Sequence, residues 1–193
     1  MSRPILQVII GSTRPGRVGP AIARWFYDLA AERDAIDVEL VDVASFNLPV
    51  FDEPQHPITR EYAHEHTRYW SETISRADGF VFVIPEYNHS LNAATKNALD
   101  YLYHEWRYKS AGILSYGGAA MGTRAAQALK PVLTALKLVH AGDVTVPLVT
   151  APVHDGVFAG NEQLARSAAA LLDELTVITP VLMERRHRST ASS

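Results

Sequence analysis

The chain contains no cysteine, and its 193 residues carry a net charge of only −3. The lack of cysteine excludes disulfides, thiolate metal sites and cysteine nucleophiles, and with them the cysteine-dependent phosphatases that hold phosphate on a strand–loop–helix unit. The small charge gives no global field to attract nucleic acid or an anionic membrane, and no apolar run approaches the roughly 18 residues of a membrane span. We therefore expect a cytoplasmic protein with neither nucleic acid nor membrane as a partner.

Strand and helix patterns alternate along the chain. Runs rich in apolar residues predict five strands, near residues 5–10, 38–43, 80–84, 111–115 and 144–149. Apolar residues at three- and four-residue spacing predict helices between and after them, including helices at about 59–76, 91–102 and 122–138. Pro131 should kink the last of these or mark its start. Polar residues in the second strand and Pro147 in the fifth favour the two edges of a sheet.

This alternation predicts a three-layer α/β/α sandwich around a five-stranded parallel sheet. With 47% hydrophobic residues, a chain of this length can bury one sizeable core. We therefore expect a single domain over residues 1–184. Residues 185–193, which begin with arginines and end with small polar residues, should form a flexible basic tail.

The first strand ends at Gly11 and is followed by the segment Ser-Thr-Arg-Pro-Gly-Arg. Glycines let backbone N–H groups turn toward an anion, and the N-terminus of the next helix adds its positive dipole. Ser12 and Thr13 can donate hydroxyl hydrogen bonds, while Arg14 and Arg17 can form charge-assisted ones. The segment indicates a phosphate site; an ordinary turn with two solvated arginines is the alternative.

Two more polar segments follow the third and fourth strands, Pro-Glu-Tyr-Asn-His-Ser at residues 85–90 and Ser-Tyr-Gly-Gly at residues 115–118. In the flavodoxin-like strand order 2-1-3-4-5, the first, third and fourth strands are neighbours. Their carboxyl ends then meet at the switch point where open α/β sheets bind ligands. The Rossmann order would bring these segments together less well, and its G-x-G-x-x-G motif is absent. The flavodoxin-like order is therefore expected.

Together these segments resemble the NADPH-dependent FMN reductase family, flavodoxin-like flavoproteins that include quinone, chromate and azo-dye reductases. The resemblance covers residues 5–149. It depends on Gly-Ser-x-Arg at 11–14, on Pro-Glu-Tyr-Asn at 85–88 with Lys-Asn-Ala-Leu-Asp at 96–100, and on Ser-Tyr-Gly-Gly-x-x-x-Gly at 115–122. The second of these motifs is the most specific.

The resemblance implies an enzyme that passes hydride from NADPH, or NADH, through bound FMN to a flavin, a quinone or a similar small electron acceptor. It implies that the flavin carries the chemistry, so no catalytic side chain is expected. The implied FMN contacts are Ser12, Thr13, Arg14, Arg17, Val18 and Gly19 for the phosphate, Pro85, Glu86, Tyr87 and Asn88 along the ring, and Ser115, Tyr116, Gly117 and Gly118 on its other side.

The chain departs from the family at two positions, since many members have Ser and Asn where it has Arg17 and Gly19. Arg17 either forms a second charged fork on the phosphate or faces solvent. Arg124 matches a family position and could serve the NADPH phosphate or a salt bridge. No metal site is expected, because His64 and His66 lie two residues apart on a predicted helix and would not share a face.

Two other functions are compatible with the same fold. The first is a flavodoxin-type electron carrier, which the arginine-bearing loop and the small net charge disfavour. The second is a non-catalytic module that binds FMN or a partner, and the intact ring segment argues against it.

Four aromatic residues, Tyr101, Tyr103, Trp106 and Tyr108, crowd eight positions at the end of the helix predicted near 91–102 and just beyond it. Interface cores are enriched in tyrosine and tryptophan, so this crowding predicts a homodimer or homotetramer, as the family resemblance also does. The alternative is that these rings pack within their own subunit.

Overall fold

A computed structural model describes residues 3–190 of the chain. Its strands are β1 (Ile5–Ile10), β2 (Asp37–Asp42), β3 (Gly79–Tyr87), β4 (Ser90–Leu91), β5 (Ser110–Gly117) and β6 (Val139–Pro147). Its α-helices are α1 (Gly19–Ala31), α2 (Glu65–Ser75), α3 (Ala93–Asp100), α4 (Thr123–Ala135) and α5 (Glu162–Thr190). Helices α2 and α3 start later than the predicted positions near residues 59 and 91.

The sheet has the order β2-β1-β3-β5-β6, with every pair along this path parallel. The two-residue β4 pairs antiparallel with the end of β3. When β4 is set aside, the order is the predicted 2-1-3-4-5, and both edge strands are those expected from their polar residues and proline. Residues 79–85 of β3 are buried throughout, because helices cover both faces of a central parallel strand.

Side chains alternate between two apolar cores, one on each face of the sheet. On one face, Val8 of β1 packs in a core with Phe26 of α1 and Leu171 of α5. On the other face, Ile9 joins the core formed by α2, α3 and α4, which includes Trp70. The predicted three-layer sandwich is therefore confirmed.

The long connection after β2 explains why α2 begins at Glu65 rather than near residue 59. Residues 57–59 form a 3-10 turn that Arg60 ends in the left-handed region, with φ of 60°. The carboxylate of Glu53 then accepts hydrogen bonds from the N–H groups of Ala63 and His64 at 2.7 and 3.1 Å, just before the helix. Pro131 lies inside α4, so it does not mark the start of that helix.

Helix α5 continues to Thr190, through most of the segment expected to be a flexible tail. Its Arg186 donates to the backbone carbonyl of Tyr108 at 2.7 Å and pairs with the carboxylate of Asp78 at 2.5 Å. These long-range bonds explain the difference, and residues 191–193 lie outside the described part of the chain. Within residues 3–190, no helix is both long and apolar enough to cross a bilayer.

The aromatic residues after α3 complete the core of a single chain. Tyr101 and Trp106 are both fully buried. The Trp106 indole N–H donates to the carbonyl of Leu99 at 3.2 Å, and its ring lies 5.0 Å from Phe80 and 6.1 Å from Trp70, centre to centre. For these two rings the alternative interpretation is right, and their crowding gives no support to a subunit interface.

Trp106→Ala should lower the free energy of unfolding by about 3–5 kcal/mol, the usual cost of emptying a large aromatic site in a core. Urea denaturation of the apoprotein at several protein concentrations measures it, and the loss should not depend on concentration. Val177→Ala on α5, where the valine is 67% exposed, is the matched control and should change stability by less than about 0.5 kcal/mol. A loss below about 1 kcal/mol for Trp106→Ala would contradict the core assignment.

Candidate active site

The three polar segments picked out in the sequence meet at the carboxyl edge of β1, β3 and β5. The Arg14 guanidinium lies over the ring of Tyr87, 5.9 Å from its centre, which brings the first segment to the second. Tyr116, at the end of β5, points its hydroxyl at Gly19, where α1 begins. The predicted convergence at the switch point is therefore present in the fold.

The loop after β1 leaves several hydrogen-bonding groups unused. Ser12 is fully buried, and in the described part of the chain its hydroxyl makes no well-formed hydrogen bond, although it interacts with the hydroxyl of Tyr116. Within residues 3–190, the N–H groups of Ser12, Thr13 and Arg14 donate to no other group. Val18 begins α1 without a side-chain cap. Buried polar groups are normally satisfied, so this loop and the adjoining helix N-terminus are suited to bind an anion.

The two arginines of this loop have different environments. Arg17 forms a two-pronged ion pair with Asp42, both distances being 2.6 Å, and also donates to the carbonyl of Ser12. The hydrogen bond to Asp42 is the main cause of the raised pKa of Arg17. Arg14 is exposed and has no carboxylate partner among the described residues. Arg14 is therefore the cation of this loop that remains available to a ligand, while Arg17 holds the loop to the end of β2.

The segment at residues 85–90 is a tight hairpin rather than an open loop. Tyr87 pairs with Ser90 across it, and the two residues between them, Asn88 and His89, have φ of 48° and 66°. Two left-handed residues in a two-residue connection are typical of a type I′ turn, for which asparagine is well suited. The side chain of Pro85 is buried, while those of Tyr87 and Asn88 are exposed at the hairpin tip.

Glu86 holds the start of α4. Its carboxylate accepts a hydrogen bond from the backbone N–H of Arg124 at 3.0 Å and pairs with the guanidinium of the same residue, also at 3.0 Å. An acidic group at a helix N-terminus is favourable because it meets free N–H groups and the positive end of the helix dipole. Glu86 and Arg124 are thus each other's partners.

Residues 115–117 form the end of β5, and Gly118 begins the loop that follows. Ser115 and Tyr116 are buried, Gly117 is half-buried and Gly118 is exposed. Burial raises the pKa of Tyr116 to about 12, so its hydroxyl stays protonated at neutral pH. Because that hydroxyl reaches the start of α1, Tyr116 belongs with the loop after β1 more than with a wall beside the hairpin.

Gly19 and Gly122 lie where neighbouring segments approach the backbone too closely for a side chain. A Cβ at Gly19 would collide with the hydroxyls of Ser12 and Tyr116, which explains why this chain has no larger residue there. Gly122 has φ of 86°, and a Cβ on it would collide with the backbone at Ser115 and Tyr116. Gly19 lets the start of α1 pack against Ser12 and Tyr116, and Gly122 lets the start of α4 pack against the end of β5.

Sequence reasoning missed three residues that shape this site: Asp42, Asn92 and Thr95. Asp42 looked like one more polar residue of an edge strand, and the other two looked like part of an ordinary helix start. The one signal in the sequence that could have found Asn92 and Thr95 is that both are polar residues at the start of a helix that packs on the sheet. Asn92 and Thr95 are 3% and 2% exposed, and both contact the backbone of Gly11.

The expectation that His64 and His66 face different directions is wrong. His64 precedes α2 with extended backbone, so helical spacing does not separate the two residues. Their rings stack with centres 5.1 Å apart, and the Nε2 atoms lie 3.9 and 3.0 Å from the carboxylate of Asp52. Tyr101 also donates to this carboxylate at 2.8 Å. The cluster fastens the long connection after β2 and lies outside the site described above.

The sheet order, and a loop with unused hydrogen-bond donors at its switch point, define a flavodoxin-like α/β protein. Residues 5–152 match the model of the family described as NADPH-dependent FMN reductase. The chain belongs to this family.

Two relatives and one solved structure illustrate the similarity. An NAD(P)H-dependent FMN reductase of Schizosaccharomyces pombe is 44% identical over 151 residues, covering 77% of this chain and 74% of that protein. One from Nectria sp. is 35% identical over 182 residues, covering 88% and 90%. The structure of FerB, a flavoenzyme NAD(P)H:(acceptor) oxidoreductase from Paracoccus denitrificans, has a TM-score of 0.69 at 20% identity, covering 91% of this chain and 98% of its own.

Glu86→Ala should destabilise the protein by about 1 kcal/mol, because it removes both the cap of α4 and the ion pair. Arg124→Ala should cost less, a few tenths of a kcal/mol, because its side chain is 49% exposed and the backbone bond to Glu86 remains. Urea denaturation of both variants and of Glu86→Gln ranks them by free energy of unfolding. Glu86→Gln keeps an acceptor oxygen and should lose less stability than Glu86→Ala. Equal losses for the two alanine variants would contradict the capping assignment.

Proposed function

We propose that this protein is an FMN-dependent NAD(P)H oxidoreductase that passes hydride from NADPH, or NADH, to a flavin, a quinone or a similar small electron acceptor. The observation that carries the proposal is the buried Ser12 hydroxyl, which makes no well-formed hydrogen bond inside a loop whose N–H groups are unused. Membership of the family supports it, as do the relatives named NAD(P)H-dependent FMN reductase.

The residues present fit the FMN phosphate. The Ser12 hydroxyl, the N–H groups of Ser12 to Arg14 and the Arg14 guanidinium can all donate to phosphate oxygens. The protonated Tyr116 hydroxyl faces the same helix start. Thr13 is exposed at the loop surface and can add a hydroxyl donor. Val18 and Gly19 contribute through the backbone at the start of α1.

The flavin ring would lie between the hairpin and the loop after β5. Tyr87 and Asn88 can contact it from the hairpin tip, with Pro85 fixing the backbone beneath them. Gly117 and Gly118 leave room for a ring to approach the backbone. When bound, FMN supplies the hydride chemistry, and the chain supplies binding and orientation. Arg17 forms an ion pair with Asp42, and Glu86 forms one with Arg124. Both residues therefore serve this site by holding its loops in place and not by contacting the flavin.

We also propose that residues 1–184 form one FMN-binding domain, to which α5 belongs through Thr190, and that the protein is a cytoplasmic homodimer or homotetramer. Exposed apolar side chains in the connection after β2 support assembly: Val50, Phe51 and Ile58 are 88%, 38% and 51% exposed. Light scattering separates such an assembly from a 21.3 kDa monomer.

The absorption spectrum of the purified protein, followed by anaerobic addition of NADPH, tests the function. We expect a flavin spectrum that NADPH bleaches within turnover times and that a quinone restores. A yellow protein that NADPH does not reduce would favour the electron carrier. A protein that binds no added FMN would contradict both.

Arg14→Ala should weaken FMN binding by roughly tenfold to a hundredfold, the equivalent of one charge-assisted hydrogen bond to phosphate. Riboflavin lacks the phosphate and should bind nearly as it does to the wild type. Quenching of flavin fluorescence on titration with apoprotein measures both affinities. Arg24→Ala, on the exposed side of α1, is the matched control and should change neither. Equal losses for FMN and riboflavin would contradict the assignment of Arg14 to the phosphate.

A further inference from the structure

Two buried polar side chains at the start of α3 bind the backbone of the phosphate loop. The amide nitrogen of Asn92 donates to the carbonyl of Gly11 at 2.7 Å, and the hydroxyl of Thr95 lies 3.2 Å from the same oxygen. Both side chains are at most 3% exposed. The contact joins residues that are more than 80 positions apart in the chain, so α3 and the loop after β1 are fastened to each other at one carbonyl.

Asn92 occupies the N-cap position of α3 but does not cap it. An asparagine there usually accepts a hydrogen bond from an N–H of the first turn, and no such bond is present. Its oxygen instead accepts from the Thr95 hydroxyl at 2.7 Å. A hydroxyl has one proton to donate, and the bond to Asn92 is the shorter of its two contacts. Thr95 therefore orients the Asn92 amide so that its nitrogen faces Gly11.

The direction of one peptide group follows from this contact. In a planar trans peptide the carbonyl and the next N–H point in opposite directions. Because the Gly11 carbonyl is held against α3, the N–H of Ser12 points away from α3, toward the loop. A Cβ on Gly11 would collide with the Thr95 hydroxyl, so the glycine lets the pair come this close.

We propose that Asn92 and Thr95 are positioning residues for the FMN phosphate: they hold the Gly11–Ser12 peptide with its N–H turned toward the anion. Because Asn92 directly follows β4, the same bonds set the phosphate loop relative to the hairpin that carries Tyr87. This inference rests on the proposed function, since it assumes that FMN is the ligand of the loop.

The test measures the affinity of the apoprotein for FMN and for riboflavin in four variants. Thr95→Val removes the hydroxyl with little change of shape and should weaken FMN by roughly threefold to tenfold, while Asn92→Ala should weaken it by about tenfold or more. Riboflavin affinity should change by less than about twofold in both. Thr95→Ser keeps the hydroxyl and should bind FMN like the wild type. Thr73→Val is the control, because Thr73 is also buried but its hydroxyl donates only to the carbonyl of Tyr69 within α2.

Melting temperatures of the apoproteins separate positioning from folding. If Asn92→Ala fails to fold, the Thr95 pair of variants decides the outcome. An FMN affinity of Thr95→Val equal to that of the wild type would overturn the proposal, and so would equal losses for FMN and riboflavin. Either result leaves the proposed function intact as long as the wild type binds FMN. A wild type that binds neither ligand would contradict the proposed function itself.

Discussion

The parallel pairing of β1 with β3 is the constraint on which the candidate site depends. The last hydrogen bond of this ladder, from the N–H of Gly11 to the carbonyl of Val83, lies one residue beyond the end of β1. Beyond this bond the segments that follow β1 and β3 separate, because α1 covers one face of the sheet and α3 covers the other. The crevice between them is a consequence of this divergence. A different neighbour for β1 would place the loop of Ser12 and the hairpin of Tyr87 apart.

Among the charged side chains described at the crevice, two pairs neutralise each other, and the guanidinium of Arg14 has no carboxylate partner. Arg17 is paired with Asp42, and Glu86 is paired with Arg124. Each pair also binds a backbone group, the Ser12 carbonyl or the Arg124 N–H, so each stabilises a loop conformation as well as a charge. Arg14 remains exposed, with Tyr87 beneath its guanidinium. Under the proposed function, the phosphate would bind at Arg14 without rearrangement of these two ion pairs.

The sheet order and the meeting of the three loops could be predicted because they depend on local patterns. An unbroken apolar run such as that of residues 80–84 belongs at the centre of a parallel sheet, and polar strands belong at its edges. The partners of particular side chains could not be predicted in this way. Asp42 lies 25 residues from Arg17, and Asn92 lies 81 residues from Gly11. Only the folded chain selects these partners, because several other acceptors in the sequence would have served as well.

Asp78 lies at the amino-terminal edge of the sheet, opposite the candidate site, and links β1 to α5. One oxygen of this carboxylate accepts from the N–H of Ile5 at the start of β1, and the other pairs with Arg186 near the end of α5. The side chains of Asp78 and Arg186 are only 16% and 19% exposed. Residues near the two ends of the described part of the chain thus bind one carboxylate, at the edge of the sheet opposite the candidate site. Because one carboxylate binds both segments, fraying at the end of α5 is coupled to the start of β1.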